Sequence, residues 1–120
     1  MSVSNALTSE FESIFYVDVV TDYYLEFFMD KNGSLEIRPA GTDFFGEARE
    51  RLLENVGDAD AKKVREATSK ANLIHVAEQE KPLALTFCKE VDGTTISYSL
   101  QTIKTRESDR HYVVIGVRQE

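Results

Sequence analysis

The side chains able to do chemistry are few and scattered along the chain. His75 falls in a helical stretch, where an imidazole would be a competent ligand to haem iron. His111 opens the last apolar run beside a polar stretch, which places it in solvent. Cys88 is the only cysteine, so an internal disulfide and a cysteine-cluster metal site are both excluded. Its context, Thr86-Phe87-Cys88-Lys89, is a strand, and a thiol alternating with strand neighbours reads as a small packed residue before a redox centre. Asp58 and Asp60 straddle a helix start, where carboxylates cap orphan amides and favour the positive end of the dipole. Glu47, Glu50 and Glu54 alternate with Arg49 and Arg51 on what reads as the solvated face of one helix. No nucleophile, base and orienting group can be assembled from these residues, and the chain is read as non-enzymatic with no metal site.

The elements that must position these groups follow from the spacing of apolar residues. Leu7, Phe11 and Ile14 recur at intervals of four and three, the pattern of a short amphipathic N-terminal helix over residues 4–14. Residues 15–20 and 23–29 are aromatic and β-branched, with Thr21-Asp22 as the turn between two strands. Asp30-Lys31-Asn32-Gly33 is a further turn signal, and residues 34–38 read as a short extended piece ended by Pro39. The period then changes. Phe44, Phe45, Ala48, Leu52 and Val56 predict a helix over residues 43–56, stopped by Gly57. Asp58 and Ser69 are candidate caps for two further helices, whose inner faces carry Ala61 and Val64, then Leu73, Ile74 and Ala77. Pro82 closes this half, and residues 83–91, 94–106 and 111–118 read as three antiparallel strands, the first two joined at Asp92-Gly93.

The expected architecture is therefore α+β: a five-stranded antiparallel sheet with short helices inserted between strands two and three, plus the N-terminal helical segment. Residues 1–14 form the cap or linker and 15–120 the domain. Val113, Val114, Ile115 and Val117 make the last strand apolar on both faces, so one face meets the helices and the other needs a cover. Leu7, Phe11 and Ile14 are the candidate cover, folded back in cis or exchanged with a second copy, and a homodimer is expected. The chain has 120 residues, room for one core, with 21 acidic against 14 basic side chains and a formal net charge of -7. That balance repels nucleic acid and anionic membrane surfaces. With no apolar run of spanning length and no signal-peptide core, the expectation is a cytoplasmic location without membrane contact.

The order of strands, helices and strands resembles a PAS domain, the sensory module of bacterial signalling proteins. The resemblance covers nearly the whole chain. It is carried by Phe15-Tyr16-Val17-Asp18-Val19-Val20-Thr21-Asp22-Tyr23-Tyr24, by Asp43-Phe44-Phe45-Gly46-Glu47-Ala48-Arg49 and by Tyr112-Val113-Val114-Ile115-Gly116-Val117-Arg118. These stretches look like the PAS-like sensors found before diguanylate cyclase, phosphodiesterase and histidine kinase domains in Firmicutes. Asp58-Ala59-Asp60 stands where such proteins often start a helix with Pro-Asp-Asp, and Gln119-Glu120 stands where many continue into an Asp-Ile-Thr signal-transfer motif. The resemblance implies an input module that controls a covalently linked output domain, since no Gly-Gly-Asp-Glu-Phe cyclase signature occurs in the chain.

It also implies a small-ligand pocket between the sheet and the helices, with Phe45, Leu52, His75, Phe87, Tyr98 and Leu100 as candidate lining. Some haem-binding members carry an axial histidine in the helix where His75 lies, but no second axial candidate or attachment spacing occurs here, and haem is not expected. Flavin photosensors of the family hold their cysteine in a helical Asn-Cys-Arg-Phe-Leu-Gln motif, unlike the strand setting of Cys88, so flavin is not expected either. Two alternatives stand beside this reading. One is a cone-like α+β binding or isomerase-type domain, and the other a ligand-free dimerisation spacer.

Overall fold

The computed structural model describes residues 11–104 and 111–120. Six strands and three helices follow one another as β1 (Ser13–Asp18), β2 (Tyr24–Met29), β3 (Leu35–Gly41), α1 (Ala48–Leu52), α2 (Asp58–Ala67), α3 (Lys70–Gln79), β4 (Ala84–Val91), β5 (Thr94–Thr102) and β6 (Tyr112–Gln119). All strands join one antiparallel sheet in the order β3-β2-β1-β6-β5-β4. The first and last strands thus meet at its centre, where Phe15 pairs with Ile115 on one side and Glu26 on the other.

This corrects the expected five-stranded, PAS-like sheet; of the helix expected over residues 4–14, residues 4–10 lie outside the described residues. The sixth strand is β3. Its hairpin with β2 is closed by the Asp30 carboxylate, which accepts from the backbone N–H of Asn32 and of Ser34 at 2.8 Å each, and by Gly33 at a φ of +80°. Pro39 does not end the strand, because β3 is at the sheet edge and its register shifts opposite Tyr24 and Glu26, and an edge bulge tolerates a residue without an N–H. Ile14 is not on a helix: it lies within β1, held between Phe27 and Gly116. Phe11 is buried just ahead of β1 with no helical assignment, and Leu7 lies outside the described residues.

The helical half is also shorter than its periodicity predicts. Of residues 43–56 only Ala48–Leu52 is α-helical, since Phe44 to Glu47 form turns and Val56 bridges to Lys89 on β4. Ser69 caps α3, its hydroxyl accepting from Asn72 N–H at 3.1 Å. Asp58 makes no cap, because the N-cap residue of α2 is Gly57. The Asp60 carboxylate instead accepts from Cys88 N–H at 2.8 Å, and Asn55 C=O from Glu90 N–H at 2.9 Å, so the loop before α2 and the first turn of α2 together occupy the open edge of β4. Asp92 and Gly93 both take positive φ, 50° and 77°, the requirement of a two-residue hairpin turn.

Alternation then assigns two faces. Phe15, Val17, Tyr24, Phe87, Leu100, Val113, Ile115 and Val117 point to the inner face, where α2 packs over β4 and α3 over β6 around Phe44, Val64 and Leu73. On the outer face Phe11, Ile14 and Val114 form a second, smaller cluster with Tyr16, Phe27 and Ile103. Phe11 sits so close to β6 that a Cβ at Gly116 would lie 2.7 Å from its ring and from Ile103. Replacing Gly116 with Ala should therefore force Phe11 outward and cost about 1–3 kcal/mol of stability, as overpacking does. A urea-unfolding midpoint equal to that of the parent protein would refute this seating.

Candidate functional site

The inner face brings several of the expected pocket residues into one cluster. Phe87 and Leu100 are fully buried, Tyr98 stacks on Phe87 with ring centroids 5.6 Å apart, and Phe45 and Leu52 pack against the same core from the α1 segment. Edge-on ring contacts link Phe44 to Phe15, Tyr24 and Phe45 at 5.3–5.9 Å. His75 is not among them, since it lies on the exposed side of α3. Beside Tyr98 the ammonium of Lys89 lies 5.7 Å from the ring centroid, a cation–π contact. Burial lowers the Lys89 ammonium from its ordinary value, opposed by the carboxylates of Glu54 and Glu12. Burial raises the Tyr98 hydroxyl, with Glu12 adding to the effect.

Two clefts flank α3. One, about 640 Å³, is bordered by Val76, Ala77, Ile103, Tyr112, Val113 and Val114 among others. The second, about 410 Å³, is lined by Val19, Val20, Lys70, Ile74, Glu78 and His111. Both volumes fall within the roughly 300–1,000 Å³ of small-molecule sites. The clefts exist because Leu73 is the only fully buried side chain of α3, with Ile74, Val76 and Ala77 half-buried along its flanks. The Lys70 ammonium meets Asp22 at 2.7 Å and ties the start of α3 to the β1–β2 turn.

A charged cluster on the inner face of β2 escaped the sequence reading. Glu26 is 5% exposed and pairs with Arg38 Nε of β3 at 3.0 Å and with the Arg51 guanidinium of α1. Next to it Tyr24 passes under Gly41, where a Cβ would stand 2.2–2.5 Å from its phenol, and its hydroxyl donates to Glu47 at 3.2 Å. Burial works to lower Arg51, but bonding to Tyr24 and pairing with Glu26 hold it above its ordinary value. Burial raises the Tyr24 hydroxyl, Arg51 opposes that, and Glu47 supports it. With each carboxylate matched to a donor, this cluster fastens the edge hairpin and α1 together. A signal was present in the sequence: Glu26 is the lone charge inside Tyr24-Leu25-Glu26-Phe27-Phe28, where alternation forces it onto the face of Tyr24.

The outer face is divided. Across β4 and β5 it is polar, with Thr86, Cys88, Ser97, Ser99 and Gln101, and Arg118 Nε donates to Ser99 Oγ at 3.3 Å. Across β6, β1, β2 and β3 it is apolar: Val114, Ile14, Tyr16, Leu25, Phe27, Met29, Leu35 and Ile37 share it, with Tyr112 at its end. Leu25, Tyr112 and Ile37 are 41%, 40% and 61% exposed. Cys88 stands on the polar half with its thiol 3.6 Å from Ser97 Oγ. Among the described residues no cluster of metal-ligating side chains occurs, and no helix is long and apolar enough to cross a membrane. No protein-family model, no curated protein and no solved structure matches the chain.

Two outcomes follow from this geometry. Replacing Glu26 with Gln leaves two guanidiniums facing a neutral amide and should cost about 2 kcal/mol, below the ~3–5 of a fully buried pair because both arginines are half-exposed. Equal unfolding free energies by urea titration would show that the cluster holds nothing together. The raised hydroxyls of Tyr24 and Tyr98 mean that the folded chain keeps those protons more tightly than the unfolded one. Their contribution is complete below the unfolded value near pH 10 and is lost as pH rises through the folded value. Stability should therefore fall above about pH 10, and fall less steeply in Tyr98→Phe, as followed by circular dichroism across alkaline pH.

Proposed function

We propose that this chain is a sensory or regulatory input domain of a bacterial signal-transduction protein, not an enzyme. It takes a small ligand, pairs with a second copy, or does both, and so controls a covalently attached cyclic-di-nucleotide or kinase output domain in the cytoplasm. The observation that carries the reading is the seating of α3. One fully buried residue, Leu73, anchors it, and ligand-sized clefts lie on both flanks, the larger of which reaches β6 at the centre of the sheet. A molecule lodged against α3 would touch helix and central strand together, and preferential binding to one arrangement of the pair shifts the population toward it. The stretches that resemble bacterial sensor modules support the same reading. The excess of negative charge weighs against nucleic acid as the ligand.

The packed ring cluster of Phe15, Phe44, Phe45, Phe87 and Tyr98 favours a second reading, a spacer that pairs copies and holds no ligand. Native mass spectrometry of the freshly purified chain separates the two. Retained small-molecule mass, lost in an Ala77→Trp variant that fills the larger cleft while keeping its fold, is the expected result. A bare chain in every preparation, with no thermal shift on adding a metabolite library, would overturn ligand sensing. Turnover of a small carbonyl substrate would overturn the non-enzymatic assignment altogether.

A further inference from the structure

We infer that the smaller cleft, between α3 and the β1–β2 turn, binds a small alkylamine, with the ammonium at Glu78 and the hydrocarbon body against Val19, Val20 and Ile74. This rests on the regulatory reading above and names the ligand class in it. Lys70, Ile74 and Glu78 stand four residues apart on α3, so they form one stripe of its surface, each about 6 Å further along the axis than the last. The stripe runs from a cation through an aliphatic side chain to an anion.

The basic groups of this cleft already have carboxylates. The Lys70 ammonium meets Asp22 at 2.7 Å, and His111 lies within electrostatic reach of Asp18. Glu80, two residues beyond Glu78, is engaged by Lys104 at 3.4 Å. Glu78 differs: among the described residues its carboxylate has no hydrogen bond or ion pair, although it borders the cleft. An anionic ligand would have to displace Asp22 or Asp18 from its partner, whereas an ammonium meets a carboxylate that gives up only water. A divalent metal ion takes several oxygen ligands at once, and no cluster of metal-ligating side chains occurs among the described residues. The net charge of -7 further favours cations over anions near the surface.

The hydrocarbon part of the ligand is matched by the wall opposite. Val19 is buried and Ile74 half-buried, but Val20 is 61% exposed, an apolar side chain left in water at the rim. Its backbone is fixed, because Val20 N–H donates to Asp18 Oδ1 at 2.9 Å. An alkyl chain can therefore cover Val20 and Ile74 without first ordering the turn, which spares part of the entropic cost of binding. The volume of about 410 Å³ admits a compact ligand of this kind.

Titration of the isotope-labelled full chain with isopentylamine at neutral pH and low salt, followed by amide chemical shifts, tests the inference. The signals of Val20, Ile74 and Glu78 should move together and saturate with a Kd on the order of 1 mM, the strength a compact probe reaches in an open cleft. Isopentanol and isovalerate carry a similar hydrocarbon body without the positive charge and should bind several-fold more weakly. Glu78→Gln alters an exposed side chain, so the fold should be kept while the Kd for the amine rises about fivefold or more. Glu80→Gln should leave that Kd unchanged. Equal binding of isopentanol or isovalerate, a Glu78→Gln chain that binds the amine like its parent, or shifts confined to other parts of the molecule would overturn the proposal. If the amine fails to bind while the purified chain retains a different molecule, the ligand class falls and ligand sensing stands. If the amine binds as described but leaves the activity of an attached output domain unaltered, the site stands and the regulatory reading falls.

Discussion

Everything in this molecule depends on the register in which β1 is held between β2 and β6. Side chains of a strand alternate with a period of two, so a slip of one residue would carry the whole inner set to the outer face. Phe15 and Val17 face the helices only because Ile14 and Tyr16 face away, and the same register lines up Val113 with Val17 and Tyr24. The register is pinned from both sides by turns. Asp18 Oδ1 accepts from Val20 and Thr21 N–H at the β1–β2 turn, and although burial acts to raise its carboxyl, those bonds hold it below the ordinary value. Asp30 and Gly33 do the equivalent for β2 and β3.

The two sheet edges are treated differently, with consequences for what the protein can touch. The β4 edge is occupied by the first turn of α2, through the Asp60 carboxylate, and by the loop before it, through the Asn55 carbonyl. The β3 edge carries Pro39 and a shifted register, which interrupt any continuous ladder with another chain. Strand addition is thus discouraged at both margins, and the exposed apolar side chains of the outer face are gathered on β2 and β3, at Leu25 and Ile37. The inner face has the reverse character: helices shield it, and the Glu26 cluster draws α1 down over β2 and β3.

The parts of the fold legible in the sequence were those set by local chemistry. Turn pairs at Asn32-Gly33 and Asp92-Gly93, the Ser69 cap and the apolar runs of β4, β5 and β6 all follow from residues next to each other in the chain. Misreadings arose where tertiary pairing overrode a local signal. Leu7, Phe11 and Ile14 have helical spacing, yet Ile14 is claimed by β1 because strands are available on both of its sides. Pro39 looks like a strand terminator until the strand is known to lie at an edge. Residues 43–56 have helical periodicity, but Asn55 at a φ of 65° turns the chain so that Val56 can bridge to β4. At the site, the family resemblance pointed to Phe45, Leu52, His75, Phe87, Tyr98 and Leu100 as lining; all but His75 belong to one core cluster, and His75 lies on the exposed side of α3. The Glu26 pairing joins residues 12 and 25 positions apart, a relation no local pattern encodes.

The pairing of the first strand with the last has a consequence for how the chain is made. During synthesis β1 and β2 emerge early, but β6, which supplies the central partner for β1, is contained in Tyr112–Gln119. Until those last residues leave the ribosome, one side of β1 lacks its ladder and the apolar side chains around it have no mate. Sheets built on such distant contacts close slowly, in roughly milliseconds to seconds. For that interval the nascent chain depends on its net negative charge, and on whatever chaperone meets it, to stay apart from its neighbours.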